Sequence, residues 1–250
     1  KEKKMKKRLL VLGLAFTMLA ATACGTSSDD GNKTSKADKT VTATSNSDKT
    51  SETQKNDDKK DDAKENYKSA DDITMDDLKN HEETSAEDFE YGDGPNGSIV
   101  IDGYIGDDPI VVIPNEIDGK KVVDFGKIFT NNKDIVAVRV GDNVENIKEG
   151  AFGNCDNLKY IILGKNVKVF EHGNVGGQKF EQLELNDGLE QLGEEGTSGA
   201  VIILNKDKLE VKIPESVNHM AFTGAKTLIV KAGSYAESFA KEHNMDYRVE

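Results

Sequence analysis

The stretch Ala151-Phe-Gly-Asn-Cys-Asp-Asn-Leu-Lys-Tyr-Ile-Ile-Leu163 has a counterpart upstream, and that relation constrains the fold more than any other feature of the chain. Phe129 and Phe152, Val140 and Leu163, and Val144 and Val167 are each 23 residues apart, while Leu163 and Leu185 are 22 apart. Ile213 follows Leu185 by 28, so that copy carries an insertion of about five residues. A unit of this size cannot bury its own apolar side, and stacked copies bury it against one another. A β-rich solenoid with coils of about 22–23 residues is therefore expected over residues 129–230.

Each coil offers one short strand whose alternate residues face in and out. The inward row reads Ile135, Val138 and Val140, then Leu158, Ile161 and Leu163, then Phe180, Leu183 and Leu185, then Val211 and Ile213. A second apolar row, Val144/Ile147, Val167/Phe170, Leu189/Leu192 and Val217/Met220, closes the opposite side of the same core. The outward row is Ala137 and Arg139, Tyr160 and Ile162, Gln182 and Glu184, Glu210 and Lys212. Such a row forms an extended surface suited to binding, and Arg139, Tyr160, Ile162, Gln182, Glu184 and Lys212 are the candidate ligand-binding residues. Tyr160 with Ile162 is its one apolar pair, read either as an anchor for a partner or as ordinary strand surface.

The period, the Leu-x-x-Ile-x-Leu strand and the phrase Gly150-Ala-Phe-Gly-Asn-Cys-Asp-Asn-Leu158 resemble the BspA-like leucine-rich repeat family of bacterial surface proteins. The resemblance covers roughly residues 89–250 and implies a leucine-rich repeat scaffold, with function still to be argued from a site. Residues 113–122, Ile-Pro-Asn-Glu-Ile-Asp-Gly-Lys-Lys-Val, match the signature that opens such arrays, which implies an N-terminal β cap over residues 89–128. Within it, Gly97–Gly106 and Ile110–Gly119 read as two strands joined by a turn at Gly106-Asp-Asp-Pro109, with Lys120–Phe125 as a third. Residues 231–250 read as a C-terminal helix–strand cap, with Ser234 as N-cap, Glu237 three residues on, and a last strand at 246–249.

Upstream of the repeats the composition changes. Lys6, Lys7 and Arg8 precede a short apolar run from Leu9 to Ala20, too short to span a bilayer comfortably, and residues 1–23 read as a signal peptide. Met5 reads as a candidate first residue. Ala20-Ala-Thr-Ala-Cys24-Gly25 resembles the lipobox of bacterial lipoproteins, with Ala21 where that family usually has Leu. The resemblance implies that Cys24 is lipidated and that the protein sits on the outer face of the cell membrane, as in Gram-positive lipoproteins. Residues 25–88 carry 10 Lys against 18 Asp plus Glu, with almost no apolar periodicity. This composition reads as a disordered acidic tether, about 45 Å long as a random coil, with at most a transient helical turn over Ser69–Leu78.

The chemistry-bearing patterns are missing. His81, His172, His219 and His243 show no metal-ligand spacing, and no nucleophile elbow, phosphate loop or dinucleotide fingerprint occurs. No metal or cofactor is expected, and the reading is a non-enzyme. A net charge of −13 without basic clusters argues against nucleic acid. Cys155 reads as a buried structural thiol, since a lipidated Cys24 leaves it no disulfide partner. Two functions remain open: a lipid-anchored adhesion or binding module for a protein or glycan, and a structural component of the cell's own envelope. The irregular third repeat, with Glu171-His-Gly-Asn-Val-Gly-Gly177, then Glu194–Gly199 and an extra strand-like stretch Ala200-Val-Ile-Ile-Leu204, reads either as drift or as a binding loop.

Overall fold

The computed structural model describes residues 69–194, 200–203 and 207–250. The expected signal peptide, Cys24 and the acidic segment up to residue 68 lie outside these residues, as do residues 195–199 of the expected third-repeat loop. The described chain begins with a short helix, α1 (Met75–Asn80), followed by β1 (Phe89–Asp93) and β2 (Ile99–Tyr104), an antiparallel pair turning through Asn96 and Gly97 at positive φ. Next come β3 (Ile110–Val112) and the hairpin of β4 (Glu116–Ile117) with β5 (Lys120–Phe125), whose Asp118-Gly119 turn has positive φ at both residues. Two regular coils supply β6 (Ala137–Arg139) with β7 (Asn146–Ile147), then β8 (Tyr160–Ile162) with β9 (Val169–Phe170).

From there each coil gains a third strand. The order is β10 (Gly173–Val175), β11 (Gln182–Glu184), β12 (Gln191–Leu192), β13 (Val201–Ile203), β14 (Glu210–Lys212), β15 (His219–Met220) and β16 (Phe222–Thr223). The chain closes with β17 (Thr227–Val230), the helix α2 (Tyr235–Glu242) and β18 (Tyr247–Val249).

The strands stack into parallel ladders. One runs β3, β6, β8, β11, and β14, β17, β18 form a further sheet beyond it. A second runs β2, β5, β7, β9, β12, β15, with β1 on its edge, and a third joins β10, β13 and β16. This is a β-solenoid of leucine-rich repeat type. Both apolar rows are buried as expected, Leu185 alone remaining partly exposed, and they merge into one continuous core. Aromatic rings run along it: Phe129 and Phe152 stack at 5.8 Å, with Phe125 and Phe170 edge-on at 6.1 Å.

Close stacking dictates the turns. A Cβ on Gly164 would lie 2.2 Å from the Gly141 carbonyl oxygen, and one on Gly141 would lie 2.7 Å from that of Ile113. Beside these glycines runs a polar ladder. The Asn115 side chain accepts from Asp142 N, the Asp142 side chain accepts from Lys165 N, and Asn166 Nδ2 donates to the Asp142 carbonyl at 2.8 Å. Cys155 closes another turn, its Sγ donating to the Phe129 carbonyl at 2.8 Å in full burial.

Three local expectations change. The strands on either side of Gly106–Pro109 do not form a hairpin: β2 pairs with β1 and β5, while β3 crosses to the other ladder and pairs with β6. In the irregular third repeat Gly173–Val175, read as drift or a binding loop, forms a strand that pairs with β13 in the strand-like stretch after the insertion, with Val175 and Val201 buried. Residues 69–88, expected to belong to the tether, are ordered, because Ile73 and Leu78 find an apolar surface to bury against. At the C-terminus the expected cap forms: Ser234 Oγ accepts from Glu237 N, and Glu237 reaches back to Gly233 N at 2.7 Å.

Gly164→Ala is expected to lower stability by about 3 kcal/mol or more in chemical denaturation, because backbone must move. Gly119→Ala, with open space but positive φ, is expected to cost about 1 kcal/mol. Burial pushes the Cys155 thiol up to about 11, so few thiolates form at neutral pH. Peptide mapping after iodoacetamide treatment is expected to find Cys155 unmodified in native protein and modified in denaturant.

Candidate functional site

The outward face of the first ladder is divided between two structures, a strap and a trough. The strap is residues 69–84. Its helix α1 starts at Thr74, whose hydroxyl accepts from Asp77 N while the Asp77 carboxylate accepts from Thr74 N at 2.7 Å, a complete capping box. That box holds the Asp77 carboxyl below its ordinary range, chiefly through the Thr74 hydroxyl. The helix lays Leu78 (0% exposed) and the preceding Ile73 (1%) on Ile110, Val136, Ala137 and Tyr160. Met75, Ala70 and Ile162 pack against the rim of this cluster.

Polar contacts fix the strap at both ends. Lys159 Nζ, almost buried, donates to the Ile73 carbonyl at 3.2 Å and lies 3.7 Å from Glu181. Lys179 lies 3.4 Å from Asp71, Arg139 Nη2 donates to the His81 carbonyl at 2.5 Å, and Lys79 pairs with Glu184 at 2.8 Å. At the exit, Thr84 N donates to the Val112 carbonyl and its hydroxyl accepts from Val112 N. This covers the edge that β3 would otherwise leave open. Glu83 Oε1 accepts from both the backbone and the side chain of Asn115.

Half of the expected ligand-binding row therefore lies under the chain itself. Tyr160 is 7% exposed rather than displayed, with its hydroxyl donating to Glu181 at 2.8 Å. Ala137 is fully buried, Ile162 packs on the strap cluster, and Arg139 is committed to His81. The physical reason is non-local: an outward position on the ladder becomes interior once another segment lies on it. Lys159, Val136 and Lys179 matter here and were not singled out by the alternation of the strands. The signals for the strap itself were the Thr74…Asp77 spacing and the apolar Ile73 and Leu78 in an otherwise acidic stretch.

Beyond the strap lies the trough, a cavity of about 550 Å³ between β11 and β14. Gln182, Glu184 and Lys212 line it, with Glu210 and Lys208 beside them and Leu183, Pro214 and Ile229 among its apolar residues. It forms where strand pairing is interrupted. Gln182 N donates to the Lys159 carbonyl and Glu184 O accepts from Leu163 N, so these alternate residues face β8. Alternation turns the main-chain groups of Leu183 the other way. On the far side Leu209 O and Ile213 N bond to the β17 strand, which turns Glu210 and Lys212 toward β11. Among the described residues no strand pairing joins β11 to β14. The long 28-residue coil ends here.

Within the trough Gln182 Nε2 donates to Glu184 Oε1 at 2.9 Å. Lys212 pairs with Glu250 at 2.5 Å, which raises the lysine above its ordinary range. The surface is a mixed-charge groove over an apolar floor, and none of the described residues lining it is aromatic. Among the described residues no group of His, Cys, Asp and Glu side chains is placed to hold a metal ion, and no helix is long and apolar enough to cross a membrane.

Known structures with similar folds include a leucine-rich repeat protein from T. pallidum, 23% identical over 59% of this chain and 71% of that one, with a TM-score of 0.48. Another, from Bacteroides capillosus, is 18% identical over 60% of this chain and 98% of that one, at a TM-score of 0.38. A leucine-rich cell surface protein from Faecalibacterium prausnitzii is 19% identical over 60% of this chain and 45% of that one, at 0.35. The fold assignment rests on the strand ladders themselves. No family model and no curated protein sequence matches the chain.

Burial pushes the phenols of Tyr160 and Tyr104 well above the ordinary tyrosine range, with the Glu181 carboxylate adding to the effect at Tyr160. A raised folded-state value means that the associated stability is complete below the unfolded value near 10 and falls as pH rises beyond it. Spectrophotometric titration is expected to show two of the six tyrosines ionising late, together with unfolding. Tyr160→Phe is expected to remove one late phenol and cost about 1 kcal/mol through the lost bond to Glu181.

Proposed function

We propose that this protein is a binding module on the bacterial cell surface, held at the outer face of the membrane by lipid on Cys24, that grips a protein or glycan ligand in the trough between β11 and β14. The observation that carries the reading is the trough itself. It brings Gln182, Glu184 and Lys212 together where, among the described residues, β11 and β14 turn main-chain groups toward each other without pairing. Donors and acceptors on backbone and side chains at such a seam suit a polar, extended ligand. The lack of an aromatic platform favours a polypeptide over a sugar ring. The signal sequence and the small residues before Cys24 support the surface location, and the acidic stretch after it supplies spacing from the membrane. A repeat scaffold is the appropriate carrier, because rigid stacked coils hold an extended face without cost at binding.

The test is capture by the intact chain and by a Gln182→Ala/Lys212→Glu variant, from host matrix proteins and glycans and, separately, from the producing cell's envelope. A ligand retained by the parent and weakened tenfold or more in the variant is expected. Equal retention by both contradicts the trough assignment. Capture from the cell's own envelope alone assigns the protein to envelope structure in place of adhesion.

A further inference from the structure

The apolar surface under the strap is separate from the core that carries it. Ile73, Leu78, Ile110, Val136, Ala137 and Tyr160 form their own cluster and share no residue with the continuous core of the coils. The strap thus lies on a finished surface, as a bound peptide would. Its helix has six residues, too few to persist unsupported, so the face is what makes it helical. The charges also match as ligand and receptor. Residues 69–84 hold six carboxylates against the single Lys79. Lys179 meets the Asp71 carboxylate and Glu184 meets Lys79, while Lys159 and Arg139 donate to the strap carbonyls of Ile73 and His81. The covalent connection passes through Thr84, held at β3 by two hydrogen bonds; Glu83 and His81 touch the flanking turns at Asn115 and Asp108, and the rest of the strap lies against the ladder side of the coils.

We propose that the ladder face over β3, β6 and β8 is a receptor site for short acidic amphipathic helices, and that residues 69–84 occupy it in cis as a detachable competitor. The docked segment defines the partner. It carries two apolar anchors five residues apart (Ile73 and Leu78), a hydroxyl cap followed by a carboxylate three residues on (Thr74 and Asp77), and a cation directly after the second anchor to meet Glu184. A tethered strap competes at the high effective concentration its short connection imposes, so a free peptide meets a reduced population of open face. Displacement releases Glu184 from the strap's Lys79 at the rim of the trough and hands it to the partner's cation, so the site and the trough meet at this one carboxylate. The site shares Glu184 with the trough but rests on its own anchors, Ile110, Val136, Ala137 and Tyr160, so the two are tested by different variants.

The experiment uses the full chain and a fluorescein-labelled synthetic peptide of residues 69–84, with binding read by anisotropy. An Ile73→Asp/Leu78→Asp variant, which releases the strap, is expected to bind the peptide saturably and at least tenfold more tightly than the parent does. It should keep a cooperative thermal transition. Lys79→Glu, a milder change, is expected to raise peptide affinity a few-fold. Adding Tyr160→Asp to the release variant is expected to abolish binding, whereas adding Gln182→Ala/Lys212→Glu should leave it within twofold, which separates this site from the trough. Equal affinity for parent and release variant overturns the proposal, as does no binding to a release variant that still unfolds cooperatively. A release variant without a cooperative transition also overturns it, because the strap would then be part of the fold.

Discussion

In-register parallel stacking of coils is the constraint on which everything else in this structure depends. Each coil's strands bond to the coil before and the coil after, so main-chain donors and acceptors are satisfied only if equivalent residues sit one above another. That forces the 22–23-residue spacing, and it forces glycine at 141 and 164, where adjacent turns approach within the radius of a methyl group. It also explains the polar ladder from Asn115 through Asp142 to Asn166, since a turn buried between two others must find its hydrogen bonds in its neighbours. Where the spacing lengthens to 28 residues the register fails on one side, and the trough appears at that failure.

The same stacking makes a flat, repetitive outer surface, and such a surface has no intrinsic reason to remain bare. Over the first coils it is apolar, through Val136, Ala137 and Tyr160, and the chain covers it with its own strap. Over the later coils the outward residues are Gln182, Glu184, Glu210 and Lys212, and the surface stays open to solvent. The division of labour along the ladder follows from those side chains alone. Lys79 with Glu184 marks the border between the covered and the open half.

What was legible in the sequence was whatever the repeat period encodes. Phe129 and Phe152, Val140 and Leu163, and the second row from Val144 to Met220 point inward because each is fixed by its own coil and the next. The capped helix at Ser234 was legible because a capping pattern is local. The strap was not. Ile73 and Leu78 sit in a stretch whose composition belongs to unfolded chain, and only a surface formed by residues tens of positions away makes their burial worthwhile. Tyr160 was misplaced for the same reason, since strand alternation states which face a residue is on and not what lies over that face. The crossover of β3 to the far ladder escaped because two adjacent alternating strands read alike whether they pair with each other or not.

The most direct test of a separable strap on a rigid ladder is amide hydrogen exchange of the intact chain followed by peptide-resolved mass spectrometry. The account predicts two regimes: amides of β6 and β8 exchanging only with global unfolding, and those of α1 exchanging through a distinct opening at least tenfold faster, yet slower than unprotected chain. Exchange of α1 and the ladder in a single cooperative step would contradict it, as would an α1 without protection.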